Sequence, residues 1–340
     1  MTILSLQSFV AGKWIGPAGP SKKLKSAISG EVIAELGSAG LDFAEMAEHA
    51  RKVGAPALRK LTFHERAARL KALAQYLNER RDPLYELSYD TGATKADSVI
   101  DIDGGIGTLF VYASKGRREL PDEVLYVDGP VEQLGKTGAF VGQHVATSLQ
   151  GVAVHINAFN FPVWGMLEKL APTLLAGVPA IVKPASATAW LAEAAFRMIV
   201  ESGILPDGAV QFVAGDTGDL LDRLAGQDVV SFTGSAATAS MLRANPNILR
   251  NSVRFVAEQD SLNASILGPD AAPGTPEFDS FVREVHREMT AKAGQKCTAI
   301  RRIIVPLKHR DAVVEAVTER LAKTVIGDPR DEKTRMGALA

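Results

Sequence analysis

Cysteine is nearly absent: Cys297 is the only one in 340 residues. An intramolecular disulfide is therefore excluded, and a reducing cytoplasm is the expected setting. No apolar run reaches the ~18 residues needed to cross a bilayer, so no membrane partner is expected. The N-terminus, Met1-Thr-Ile-Leu-Ser-Leu-Gln7, has no basic region, long apolar stretch or cleavage site, which predicts no secretory signal. An excess of one charge is missing too. There are 38 Lys and Arg against 39 Asp and Glu, interspersed along the chain. That excludes the basic stripe by which nucleic acid is bound. No metal-ligand spacing occurs, so no catalytic metal is expected. The Gly-Xaa-Gly-Xaa-Xaa-Gly fingerprint of common dinucleotide folds is absent. What remains is 46% hydrophobic and 23% charged, an ordinary globular composition. The length allows about two domains.

Phe9 to Trp14 reads as a hairpin turning at Gly12. Thr62-Phe-His-Glu65 is a capping-box pattern. Ala67, Leu70, Leu73, Ala74 and Leu77 follow at helical spacing, closed by Arg80 and Arg81, which suit a helix C-terminus. Thr91 to Ser98 reads as a loop leading into a helix start. Residues 125–150 are strand-like, an extended excursion. From Gly151 apolar strands begin at Val152, Ala180, Val210 and Val229. Helical segments alternate with them around 163–176, 188–202 and 216–225. Gly177, Gly203 and Gly226 stand where helix caps are expected, with Pro179 and Pro206 beyond two of them. Continuous apolar strands alternating with helices predict a parallel sheet covered on both faces, a Rossmann-like α/β domain. Its ligands are expected at the carboxyl ends of the strands. Strands at 253–257 and 263–267 follow, then a helix from 276 with Phe278, Phe281, Val282, Val285 and Met289 on one face. A strand at 302–306 and a helix at 309–325 begin a second α/β unit.

Cys297 lies in Lys292-Ala-Gly-Gln-Lys-Cys-Thr-Ala-Ile-Arg-Arg302, at the exit of that helix and before a strand. A lone cysteine is by default a small buried hydrophobe. One on a turn can meet a substrate. Asn160, in Ile156-Asn-Ala-Phe-Asn-Phe-Pro-Val-Trp164, follows a strand and precedes a helix-starting proline, where its amide can donate to an oxyanion. Lys183, in Ile181-Val-Lys-Pro184, ends the next strand. Glu258, in Val256-Ala-Glu-Gln-Asp260, ends another and reads as a structural acid or a general base. Gly234 and Ser235 close Val229-Val-Ser-Phe-Thr-Gly-Ser235 at the mouth of a helix, where backbone N–H groups can hold a pyrophosphate.

Asn-Phe-Pro, Lys-Pro, Phe-Thr-Gly-Ser, a Glu and Gly-Gln-Lys-Cys occur in the order seen in aldehyde dehydrogenases, and the chain resembles that superfamily over essentially its whole length. Thr91 to Ser98, Asp101 to Phe110, Ile156 to Pro162 and Glu284 to Arg302 resemble more closely the aldehyde dehydrogenase part of bifunctional phenylacetate-degradation proteins. The resemblance implies a cofactor domain over 1–124 and 151–258, an oligomerisation excursion over 125–150, and the start of a catalytic domain, incomplete, over 259–340. It implies a dimer-based homo-oligomer and, in the full gene product, a C-terminal hydratase domain. It gives Cys297 the role of nucleophile on an aldehyde, Asn160 and the Cys297 N–H that of oxyanion donors, and Glu258 that of base for thioester hydrolysis. Lys183, Ser186, Phe159, Phe232, Gly234 and Ser235 fall at the cofactor. Many NAD-dependent relatives carry a Glu where Ser186 stands, so NADP is expected over NAD. Gln259 and Asp260 replace the usual Gly-Gly, which makes Asp260 a rival to Glu258. The implied substrate is a CoA-thioester semialdehyde of phenylacetate catabolism. Alternatives are a dehydroadipyl-CoA semialdehyde dehydrogenase of benzoate breakdown, a CoA-acylating enzyme, a non-catalytic nucleotide-binding relative, and a cysteine hydrolase using His286 or His155.

Overall fold

The computed structural model describes residues 3–340. Met1 and Thr2, which open the stretch read above for a signal, lie outside the described residues. Strands β1 (Ser8–Val10) and β2 (Lys13–Ile15) pair antiparallel across Ala11 and Gly12, with φ of 47° and 81°. Two positive-φ residues make the tight turn that suits a twisted hairpin. Helix α1 (Phe63–Arg80) starts on the Thr62–Glu65 capping box, formed in both directions, and buries the five expected apolar residues. Helix α2 (Lys95–Glu119) starts on a second box, Thr94 with Asp97. It runs for 25 residues through Gly104, Gly105 and Gly107. Those glycines hid the helix in the sequence, because each costs about 1 kcal/mol against alanine in a helix interior.

An antiparallel ribbon of β3 (Tyr126–Gln133) and β4 (Val141–Ala146) follows. Then come β5 (Ala153–Ile156), α3 (Pro162–Leu175), β6 (Ala180–Lys183), α4 (Ala189–Glu201) and β7 (Val210–Phe212). They are succeeded by β8 (Val229–Gly234), α5 (Ala236–Arg243) and β9 (Arg254–Gln259). The sheet order is β9-β8-β5-β6-β7-β1-β2. The first five strands are parallel, and β1 and β2 extend the sheet antiparallel. Alternation along β6 sends Ala180 and Val182 into one core and Ile181 into the other, so both faces are covered. The chain winds from β5 toward β7, then returns to the other side of β5 with β8. That switch point lies between the carboxyl ends of β5 and β8, where a crevice is expected.

The segment at 216–225 is not the expected helix but a short turn, Leu220–Arg223. Gly218 there has φ 47° and lies so close to Phe43 that a Cβ would meet the ring at 2.4 Å. Gly177 and Gly203 are left-handed, whereas Gly226 is not and caps no helix. A second unit holds β10 (Asn263–Ile266), α6 (Pro276–Thr290), β11 (Ile300–Ile304) and α7 (Arg310–Ala322). Its strands are parallel, and Phe278, Val282, Val285, Val313 and Val317 form its own core. Met289, expected on that apolar face, is exposed. Among the described residues no helix is long and apolar enough to cross a membrane.

The α2 glycines have a packing cause. A Cβ on Gly105 would lie 2.8 Å from the Cα of Trp164, so α2 and α3 approach at backbone distance. A Cβ on Gly107 would meet nothing. Gly105→Ala is expected to destabilise the protein by about 1–3 kcal/mol through overpacking. Gly107→Ala should stabilise it by about 0.5–1 kcal/mol. Denaturant midpoints of the two variants test this; equal shifts would refute the close-approach account.

Candidate active site

Two loops build the site, and α2 holds both. The first leaves β5 and enters α3. Pro162 begins that helix, and Asp101 of α2 accepts from the N–H groups of Val163 (3.1 Å) and Trp164 (2.7 Å). Those are donors a helix start leaves unpaired. The clamp fixes the strand-to-helix turn that carries Asn160.

The second loop follows α6. The helix stops because Lys292, Ala293 and Gly294 are all left-handed, with φ of 52°, 51° and 71°. For residues with a Cβ this conformation costs of the order of 1 kcal/mol each. Hydrogen bonds hold the kink. The Lys292 N–H donates to Asp97 Oδ1 at 2.7 Å, its ammonium donates to Thr91 Oγ1 at 3.1 Å, and Gln295 Nε2 donates to the Lys292 carbonyl at 3.0 Å. Cys297 sits on the turn beyond. Asn263 Nδ2 donates to the carbonyls of Cys297 (2.5 Å) and Ala299 (3.2 Å), tying that turn to β10. The loops meet where Asn160 Nδ2 donates to the Gln295 carbonyl at 2.8 Å. An amide has two N–H donors, so one remains for the cavity that Asn160 lines.

Asp97, Asp101 and Lys292 are all buried. Burial pushes the Asp101 carboxyl up to about 7, while Lys292 and the two amides pull it down. Burial also pushes the Lys292 ammonium down, opposed first by Asp101 and then by Asp97.

Asn160, Glu258 and Cys297 line one cavity of about 230 Å³, together with Thr233, Trp164 and Lys296. Glu258 ends β9 directly opposite Thr233 of β8. A second, open groove of about 990 Å³ is lined by the same three residues and by Phe159, Gly234, Gln259 and Asp260. Cys297 thus borders both the cavity and the groove. The Cys297 thiol is pushed up, first by burial and then by the Glu258 carboxylate. Lys296 bonds Glu288 at 2.7 Å in a nearly buried pair at the cavity wall.

The other residues expected at a cofactor lie around the carboxyl ends of β6 and β8. Lys183 ends β6 half-buried, its ammonium pushed down by burial and by Lys22 and pulled up by Asp216. Ser186 opens a short turn after it, and neither residue lines the two cavities at Cys297. Ser235 caps α5 by accepting from the Thr238 N–H. Phe232 does not offer a cofactor surface: it is 3% exposed, and its ring fills the space a Cβ on Gly234 would need. Asp260 is not placed as a rival base. Its carboxylate accepts from the Ala236 N–H at 3.2 Å, at the start of α5. His155 is buried on Thr173, with a pKa pushed down to about 3 by burial, and His286 bonds Thr324. Neither lines a cavity with Cys297, so a cysteine–histidine pair is not formed. The sequence reading did not find Asp97, Asp101, Asn263 or Gln295. The one available signal was Asp97 and Asp101 at helical spacing just before the glycines.

Asp101→Ala is expected to cost about 1–3 kcal/mol, because it leaves two helix-start N–H groups without their acceptor and removes one of the two carboxylates that offset the buried Lys292 charge. Urea unfolding measures this; a loss below 1 kcal/mol would sink the clamp. Glu258→Gln removes a negative charge that disfavours the thiolate. The pH profile of Cys297 alkylation by iodoacetamide should therefore shift to lower pH. An unmoved profile would mean that the carboxylate does not act on the thiol.

Comparison with known proteins matches residues 14–340 to the aldehyde dehydrogenase family. A 3,4-dehydroadipyl-CoA semialdehyde dehydrogenase of Aromatoleum evansii is 49% identical over 99% of this chain and 65% of its own length. A betaine aldehyde dehydrogenase of Staphylococcus aureus in complex with NAD+ superposes with a TM-score of 0.85 at 24% identity, over 99% of this chain and 66% of that one. An E. coli NADP-dependent enzyme gives 0.85 at 23% identity, over 99% and 67%. The chain thus spans 65% of the length of its A. evansii relative. The chain belongs to the aldehyde dehydrogenase family.

Proposed function

We propose that the protein oxidises an aldehyde to a carboxylic acid through a thioester on Cys297, with NADP as preferred acceptor and a CoA-linked semialdehyde as substrate. The observation that carries this reading is the meeting of Cys297, Asn160 and Glu258 on one cavity. The open groove, about 990 Å³, is large enough for a cofactor and has Cys297 among its lining residues. Phe159, Gly234 and the start of α5 would hold the cofactor there, and Lys183 with Ser186 its ribose end. At α5 a pyrophosphate would share the helix start with the Asp260 carboxylate. An oxidised nicotinamide, when bound, accepts the hydride.

The residues divide the work. The Cys297 sulfur, as thiolate, bonds to the aldehyde carbon, and negative charge moves to the carbonyl oxygen. The free Asn160 N–H and the Cys297 backbone N–H donate to that oxygen. Loss of hydride from the carbon leaves a thioester on sulfur. Glu258 takes a proton from water, and the resulting hydroxide attacks the thioester. Sulfur departs and the acid is released. Retention of Glu258 favours hydrolysis over acyl transfer to CoA, which needs no water-activating base. The 49% identity supports a dehydroadipyl-CoA type of semialdehyde over the phenylacetate-derived one expected from the sequence. The exposed ribbon of β3 and β4 carries Val127, Val131, Phe140, Val141 and Val145, a surface that suits the proposed joining of subunits.

Reduced-nicotinamide formation is measured with a CoA-linked semialdehyde and a short aliphatic aldehyde, each with NADP and NAD. Cys297→Ala should abolish turnover while cofactor binding is kept. Glu258→Gln should give one equivalent of reduced cofactor per site, then slow turnover. Steady turnover by Glu258→Gln would remove Glu258 as the base.

A further inference from the structure

A cationic groove lies beside the Cys297 cavity. It has a volume of about 520 Å³, and its walls bring together Arg287 of α6, Arg320 and Lys323 at the end of α7, and Arg335 beyond it. Ile100 of α2 lines both this groove and the Cys297 cavity, so the two adjoin across one side chain. Arg287 pairs with Glu284 at 3.2 Å. Among the described residues Arg320, Lys323 and Arg335 have no carboxylate within salt-bridge distance. The only acid on the groove walls, Asp97, already accepts from Thr94 and from the Lys292 N–H.

Basic residues at helix ends suit the helix dipole, which accounts for Arg287, Arg320 and Lys323 one at a time. It does not account for Arg335, which a backbone bond to Val325 brings back against α7. Nor does it account for four cations meeting on one concave surface that shares Ile100 with the Cys297 cavity. Such a grouping repels itself until an anion of several charges binds. Guanidinium groups are well matched to phosphate oxygens.

We propose that this groove binds the 3′-phosphate and diphosphate of a CoA thioester, so that the flexible pantetheine arm passes Ile100 and presents the semialdehyde to Cys297. This rests on the CoA-linked substrate reading above and gives that substrate's charged end its place. The groove proposed for the cofactor shares no lining residue with this one, so neither ligand would take the other's place.

The test is calorimetric titration of the full chain with CoA and with 3′-dephospho-CoA, at saturating NADP so that the cofactor groove is filled. Arg320→Ala/Lys323→Ala should weaken CoA binding about tenfold or more, and the charge-conserving Arg320→Lys/Lys323→Arg should restore it. Wild-type binding of 3′-dephospho-CoA should be weaker than that of CoA, and CoA binding should weaken with salt. Wild-type protein that does not bind CoA, or equal binding by the alanine variant, would overturn the proposal. Turnover separates this from the substrate reading. If the CoA-linked semialdehyde is oxidised with an unchanged KM in the alanine variant, the groove is wrong and the substrate stands. If CoA binds through these cations but only the short aliphatic aldehyde is oxidised, the groove stands and the substrate reading fails.

Discussion

Two carboxylates one helical turn apart on α2 keep the halves of the site in register. Asp97 grips the Lys292 N–H at the left-handed kink before Cys297, and Asp101 grips the first N–H groups of α3 beyond Asn160. Residues four apart on a helix share a face, so one rigid element sets the distance between amide and thiol. Both loops would otherwise be free to shift, since neither a left-handed Lys292 nor an unpaired helix start is stable alone. The close approach at Gly105 serves the same end by letting α2 lie directly against the segment it clamps. A buried cluster of charged groups such as Asp97, Asp101 and Lys292 is poor as a source of stability, because desolvation takes back most of its attraction. Its use here is geometric.

The same arrangement places charge where chemistry needs it and where the resting thiol does not. Burial and Glu258 both hold the Cys297 thiol in its neutral form. The base for water and the thiolate nucleophile proposed above are therefore in conflict within one 230 Å³ cavity. The conflict is relieved when positive charge arrives beside the thiol, as an oxidised nicotinamide would bring it, or when Glu258 takes a proton. Either route makes the nucleophile strong only after the site is loaded, a useful property for a solvent-accessible cysteine.

The parallel sheet and its covered faces were legible because burial on both sides leaves near-continuous apolar strands, as at Ala180–Lys183. The Thr62 capping box was legible because its chemistry is local. Asn160, Glu258 and Cys297 were picked out by resemblance and by position at strand or helix ends, and the fold brings them to one cavity. The network that holds them was not legible. Asp97 contacts a residue 195 positions away and Asp101 one 62 away, and no local pattern encodes a pairing at such separation. Helix α2 was missed over its middle because glycine disfavours helix, whereas here it buys contact with Trp164. Phe232 and Asp260 were misplaced because a motif gives sequence position but not side-chain direction. Strand alternation turns Phe232 into the core. A φ of 49° at Asp260 turns its carboxylate onto α5.

That turn of Asp260 bears on the cofactor. A helix start is a strong anion site only while its N–H groups are unpaired. At α5 the Ala236 N–H is already given to a carboxylate, so a pyrophosphate there meets fewer donors and a nearby negative charge. Binding strength in the proposed mode must then come from beyond that helix start, and Lys183, proposed for the ribose end, is a cation that would supply it. Lys183 is pushed down by burial and by Lys22, and Asp216 offsets this only in part. Ser186 adds no negative charge at that end. A 2′-phosphate would satisfy Lys183 and quiet its repulsion from Lys22, whereas a neutral ribose hydroxyl would do neither. The weaker the helix start is as an anion site, the more a phosphate on the ribose would be worth, which is the physical argument behind the proposed preference for NADP.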